Sequence, residues 1–97
     1  MKADVTNQSG VSVAAARKAQ KALEAGHASF RSGDYNKAIR WADSGLKLNP
    51  ASADLLALKG AAYQNQGKRQ AAVAAYKKAL RLDPNHRDAK RNLAALK

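Results

Sequence analysis

A spacing of 34 residues governs this chain. Gly26 and Gly60, Gly33 and Gly67, Ala38 and Ala72, Leu46 and Leu80, Leu48 and Leu82, and Pro50 and Pro84 each stand 34 positions apart. One period fits all six pairs, so the sequence reads as two copies of one supersecondary unit, 19–52 and 53–86. A unit of that length cannot hide its apolar face alone. Its core is completed only by the unit stacked next to it.

Local signals divide each unit into two helices. Residues 1–11 read as a flexible polar tail, because Asp4, Thr6, Asn7, Gln8, Ser9 and Gly10 compete with helix and present no apolar periodicity. Ser12 is placed to cap a helix that runs to about Ser32, where Gly33 and Asp34 stop it. The next helix spans about Tyr35 to Leu48 and closes at Asn49-Pro50, since the residue before a proline is pushed out of helical geometry. The second copy repeats this with helices over 51–66 and 69–82, closed by Gly67 and by Asp83-Pro84. A short fifth helix, Arg87 to Leu96, follows, with Asn85 as its expected cap. The expected organisation is a tail at 1–11 and one domain at 12–97, closed by a capping helix at 87–97.

Small side chains recur where helices of one hairpin should cross. Gly26 and Gly60 are expected to face Ala38 and Ala72 and let the backbones approach closely. Leu56, Tyr63, Tyr76, Leu80 and Leu82, joined by Leu93 and Leu96, are expected to fill the space beyond that crossing. Lys90, Asn92 and Lys97 give the last helix the polar outer side that a lid requires.

At the paired residues the chain resembles the tetratricopeptide repeat family. That pattern places a small residue midway in the first helix, a glycine before the turn, an alanine in the second helix and a closing proline. Gly33-Asp34-Tyr35-Asn36-Lys37-Ala38-Ile39 and Leu46-Lys47-Leu48-Asn49-Pro50 are the closest stretches, and the resemblance covers most of the chain. It implies an all-α fold, with tetratricopeptide-repeat helical hairpins stacked as an α-solenoid and closed by a capping helix. The first copy departs from the pattern, with Ala22, Ala25, Ser29 and Ala42 at places where large residues are expected. Trp41 and Phe30, each one residue along, are expected to supply part of that volume. The rest falls to the 12–18 extension, to a second copy of the chain, or to upstream domains.

Composition narrows the chemistry. Cysteine is absent, which removes disulfides, thiolate metal sites and cysteine nucleophiles. His27 and His86 lie on different elements, without a carboxylate or second histidine at ligand spacing, so no metal or other cofactor is expected. Ser29, Ser32 and Ser44 have no histidine and acid converging on them, and the six glycines serve turns and crossings rather than a phosphate loop. The chain is therefore not expected to be an enzyme. No stretch is long and apolar enough to enter a membrane, and the start does not read as a secretory signal, which leans the compartment toward the cytoplasm without fixing it.

Binding is what remains, and the family resemblance implies where it occurs. In tetratricopeptide arrays the first helix of each hairpin lines a concave groove that takes a peptide. Carried onto this chain, the groove residues are Leu23, His27, Phe30, Arg31, Leu58, Asn65 and Arg91, within a wider lining of Gln20, Asp54, Ala57, Ala61, Gln64, Asp88 and Asn92. Leu23, Phe30 and Leu58 would give apolar contact or else belong to the core, and His27, Arg31 and Arg91 would meet carboxylates. Chaperone-binding members of the family grip a terminal carboxylate with lysine, asparagine, asparagine, lysine and arginine at five set places. Here those places hold Leu23, His27, Leu58, Asp88 and Asn92, so that clamp is absent and a co-chaperone role is not expected.

The net charge is +11, from 18 Lys and Arg against 7 Asp and Glu, a field that draws acidic partners. The expected partner is a protein or peptide with acidic character, with homo-oligomerisation or a longer array to extend a short groove. The alternative is a nucleic-acid or other polyanion binder using Lys77, Lys78, Arg81, Arg87, Lys90 and Arg91 as a basic edge.

Overall fold

The computed structural model describes residues 12–96; the expected tail at 1–11 and Lys97 lie outside them. The described residues form five helices: α1 (Val13–Arg31), α2 (Tyr35–Leu48), α3 (Ala53–Asn65), α4 (Arg69–Leu82) and α5 (Arg87–Leu96). Each packs against its neighbour in the chain, and α3 also touches α1 and α5. The architecture is all-α, built of stacked helical hairpins.

Capping explains where the helices begin and end. Ser12 accepts the Ala15 N–H at 3.1 Å, Asp34 accepts that of Lys37 at 3.1 Å, and Ser52 accepts that of Leu55 at 3.2 Å. Each satisfies a donor that the first turn leaves free. Gly33 and Gly67 take φ of 86° and 77°, the left-handed geometry that ends α1 and α3 and that other residues rarely adopt. Lys68, which stands where Asp34 does one repeat earlier, begins α4 without any side-chain cap.

α3 is the spine of the molecule. Leu55, Leu56, Ala57 and Leu58 are all buried, so successive side chains point to different neighbours rather than to one face. Leu55 and Leu58 join Ala19, Leu23 and Ala42 of the first hairpin in one cluster. Leu56 and Ala57 join Ala72, Tyr76, Ala79, Ala89 and Leu93 in a second. A fully buried leucine contributes about 1.5–3 kcal/mol, so this one helix supplies much of the cohesion between the hairpins.

The small residues of the first hairpin are filled from within the chain. A Cβ on Gly45 would stand 2.7 Å from Cδ1 of Leu55 and 3.2 Å from Cβ of Ala22. One on Gly26 would stand 2.5 Å from Cδ2 of Leu58. The missing volume is therefore taken up by leucines of the next hairpin, and Ala22, Ala42 and Ser29 are buried without a second copy or an upstream domain. Trp41 contributes its stem beside Gly26 but remains 39% exposed.

One core expectation needs correction: Leu82, placed in the core by its spacing, is the last residue of α4 and is 43% exposed. A Cβ on Gly26 would stand 3.5 Å from the Ala38 carbonyl oxygen, one on Gly60 would meet the ring of Tyr76 first, and Ala38 and Ala72 are fully buried as close packing requires. The last helix is tied down toward its C-terminus: the Arg69 guanidinium donates to the Leu96 carbonyl, and Leu93 is buried in the second cluster.

Candidate functional site

α1, α3 and α5 each turn one side toward a shared depression of about 240 Å3. α1 brings His27 and Phe30, and α3 brings Asp54, Ala57, Leu58 and Ala61. α5 brings Asp88, Arg91 and Asn92, with His86 just ahead of it. Phe30, Ala57, Leu58 and Ala61 make an apolar floor. The rest make a polar rim.

The floor is rigid because its members also belong to the core. Leu58 is only 3% exposed and packs in the cluster of the first hairpin. Phe30 is held edge-on against Tyr35, with ring centroids 5.3 Å apart. Tyr76, fully buried, donates to Gln64 Oε1 at 2.8 Å and accepts from Asn92 Nδ2 at 3.3 Å, which fixes a rim residue from within the core. Burial pushes the Tyr76 phenol above its ordinary pKa; the Asn92 hydrogen bond pulls it down, Asp88 pushes it up and Arg91 pulls it down, in decreasing order of effect.

The rim is organised by two pairs. His86 Nε2 lies 2.7 Å from Asp54 Oδ1, while Nδ1 accepts the Ala89 N–H at 3.2 Å. With Nδ1 an acceptor, the neutral ring carries its proton on Nε2 and donates it to Asp54. His86 is therefore the cap of α5, and Asn85 is not: the Asn85 N–H donates instead to Asp83 Oδ1 at 3.1 Å. The 34-residue period held the signal, because His86 repeats the position of Ser52, the cap of α3. The second pair is Arg91 and Asp88, 3.2 Å apart and both well exposed, an ion pair worth about 0–1 kcal/mol.

Of the residues expected in the groove, His27, Phe30, Leu58 and Arg91 line this depression, as do Asp54, Ala57, Ala61, Asp88 and Asn92 of the wider set. Leu23 is 8% exposed and sits in the core with Ala42 and Leu55. Arg31 and Asn65 are exposed outside the lining, and Asn65 Nδ2 donates to the Ala61 carbonyl at 2.9 Å. His86 is the lining residue that sequence reasoning missed. Among the described residues, no three His, Asp or Glu side chains gather closely enough to hold a metal ion, and no helix is long and apolar enough to cross a membrane.

Known proteins supply the context for this geometry. Residues 53–86 match the tetratricopeptide repeat family model. No curated protein matches the chain in sequence. Among solved structures, the second TPR of Spaghetti (RPAP3) bound to HSP90 peptide SRMEEVD superposes with a TM-score of 0.78 at 25% identity, covering 81% of this chain and 73% of that one. The first TPR of Spaghetti (RPAP3), bound to the same peptide, gives 0.81 at 25% identity over 84% of this chain and 66% of that one. Residues 53–86 thus form a tetratricopeptide repeat by sequence, and the described helices share the fold of tetratricopeptide-repeat domains.

Proposed function

We propose that the chain is a protein-interaction module that takes a peptide, or a segment of a neighbouring protein, in the depression between α1, α3 and α5. The observation that carries this reading is the convergence of three helices on one open hollow with an apolar floor and a polar rim. Both solved neighbours hold a peptide, which supports binding rather than catalysis as the activity. The mode of capture differs from a five-residue carboxylate clamp. Two of the five clamp places, Leu23 and Leu58, are buried leucines with no donor to offer, and a third holds the acidic Asp88.

The ligand is an extended or helical segment with an apolar anchor on Phe30, Ala57 and Ala61 and an acidic flank beside His27 and Arg91, with Arg31 nearby on α1. A groove spanning two hairpins is short, so one module binds weakly and gains strength within a longer array or an oligomer. The binding unit is the domain at 12–97.

Titration of the isotope-labelled chain tests this, using SRMEEVD and a peptide that joins a leucine to two acidic residues. Amide shifts are expected along the groove sides of α1, α3 and α5, with the leucine-bearing peptide the tighter ligand. Phe30→Ala should remove the response to that peptide while helicity persists. Shifts confined to Lys77 and Lys78 on α4, with the groove silent, would rule the reading out.

A further inference from the structure

We propose that the exposed side of α2 around Trp41 is a binding site for single-stranded nucleic acid, separate from the groove. Of the five aromatics, Trp41 is the exposed one: Tyr76 is buried, and Phe30, Tyr35 and Tyr63 are half-buried. Lys37, Arg40 and Ser44 join Trp41 around a shallow hollow of about 260 Å3. Their spacing puts all four on one side of the helix. None of them lines the depression between α1, α3 and α5.

The internal repeat shows that the fold does not require these side chains. Thirty-four residues on, α4 carries Ala71, Ala74, Ala75 and Lys78 at the same places, and these four also border a hollow. That hollow is walled by Leu56, Lys59 and Tyr63 of α3, and Ala75 is 8% exposed against 39% for Trp41. Alanine thus satisfies the hairpin at three of the four positions. In α2 the same three hold lysine, arginine and tryptophan.

The chemistry of the hollow selects its occupant. It offers one aromatic face, two cations and a hydroxyl, and it has no aliphatic wall to seat the side chain of a peptide. A nucleotide needs a surface for its base and cations for its phosphates, and base–aromatic stacking contributes about 1–3 kcal/mol per base. Among the described residues the ion pairs are Lys59–Asp43, His86–Asp54 and Arg91–Asp88, so Lys37 and Arg40 keep their charge for a ligand. A net charge of +11 on each copy opposes self-association through this side and favours a polyanion. A duplex keeps its bases stacked on one another, which leaves none free for Trp41. The basic edge of α4 and α5 has the charge without an exposed ring.

Trp41 is the sole tryptophan, so its fluorescence reports on the site directly. Short oligouridine is expected to quench it, with affinity falling as salt rises by a log–log slope of about −1.4 for two phosphates. Trp41→Ala, followed by anisotropy of a labelled oligouridine, should weaken binding roughly 5- to 150-fold, the equivalent of one stacked base. Lys37→Ala with Arg40→Ala changes only exposed residues and should flatten the salt dependence while the fold stays intact. Lys77→Ala with Lys78→Ala should leave binding in place. The proposal is overturned by absence of quenching, by equal binding of duplex, by polyglutamate quenching as strongly as oligouridine, or by binding that needs Lys77 and Lys78 but not Trp41.

Discussion

Gly60 of α3 lies flat against the ring of Tyr76 in α4: a Cβ on Gly60 would stand 2.8 Å from Cε1, 2.9 Å from Cδ1 and 3.0 Å from Cζ. The ring cannot retreat, because Tyr76 is fully buried and its hydroxyl is held by Gln64 and Asn92. At the equivalent Gly26 the nearest obstacle is Cδ2 of Leu58, the end of a side chain that can rotate.

Gly60→Ala is therefore expected to destabilise the protein. Overpacking costs roughly 1–3 kcal/mol, and alanine returns about 1 kcal/mol of helix propensity. Gly26→Ala should cost less, because the obstacle there is the branched end of Leu58 rather than a ring pinned at its hydroxyl. Thermal melts of the two variants check this. Equal melting temperatures would show that ring rigidity is not what makes Gly60 necessary.

The 34-residue period made the hairpins legible because glycine, proline and small helical residues act locally, each through its own backbone geometry. Cap and stop residues, read one by one, placed Ser12 and the five helices close to where the structure has them. What it did not show is that α3 serves two cores at once. Leu55 and Leu58 fill the first hairpin while Leu56 and Ala57 fill the second, and a run of four apolar residues has no periodicity from which to read that division. Leu23 shows the same limit at the candidate site. An apolar residue on a first helix reads equally as groove or core, and only the depth of packing separates the two. His86 is hard to read for a different reason: histidine is an uncommon cap, and Asn85, one residue earlier, is the more usual capping type.

Asp34 and Lys68 occupy the same place in the two hairpins, and only the carboxylate caps its helix. Lys68→Asp should give α4 the bond that α2 already has. A gain of about 0.5–1 kcal/mol is expected, with Asp34→Ala losing a similar amount. Chemical denaturation of both variants provides the comparison. A Lys68→Asp variant no more stable than the parent would mean that the turn at Gly67 holds the backbone out of capping geometry.

Alkaline pH should loosen the fold through Tyr76. Its pKa is raised above the ordinary tyrosine value of 10.0, chiefly by burial, so folding favours the neutral phenol. The contribution is complete below pH 10.0 and is lost as pH climbs from there through the folded value, because the unfolded chain ionises first. Lysines and the other tyrosines titrate in the same range, so the quantity to follow is the stability difference between the parent and Tyr76→Phe. That difference should hold steady up to about pH 10 and shrink beyond it. A difference that widens with pH would contradict burial as the leading cause.

His86 does two jobs, and two substitutions separate them. Nδ1 caps α5 through the Ala89 N–H, and Nε2 ties that cap to Asp54 at the head of α3. His86→Ala removes both and should cost about 0.5–2 kcal/mol, the usual range for a lost cap, with some addition from the lost Asp54 bond. His86→Ser copies the cap that Ser52 provides one repeat earlier, so it should restore the bond to Ala89 while leaving Asp54 without its ring partner. Amide exchange reads the two effects apart. In His86→Ala the amides of the first turn of α5 should exchange faster, because the helix start frays. In His86→Ser they should stay protected, whereas contact between α5 and α3 loosens and the rim of the groove at Asp88 and Asn92 becomes more mobile. Peptide affinity should then fall in both variants, since it depends on where α5 is held and not only on whether it is helical. If His86→Ser bound peptide as tightly as the parent, the Asp54 bond would be no part of what shapes the groove, and capping alone would account for the residue.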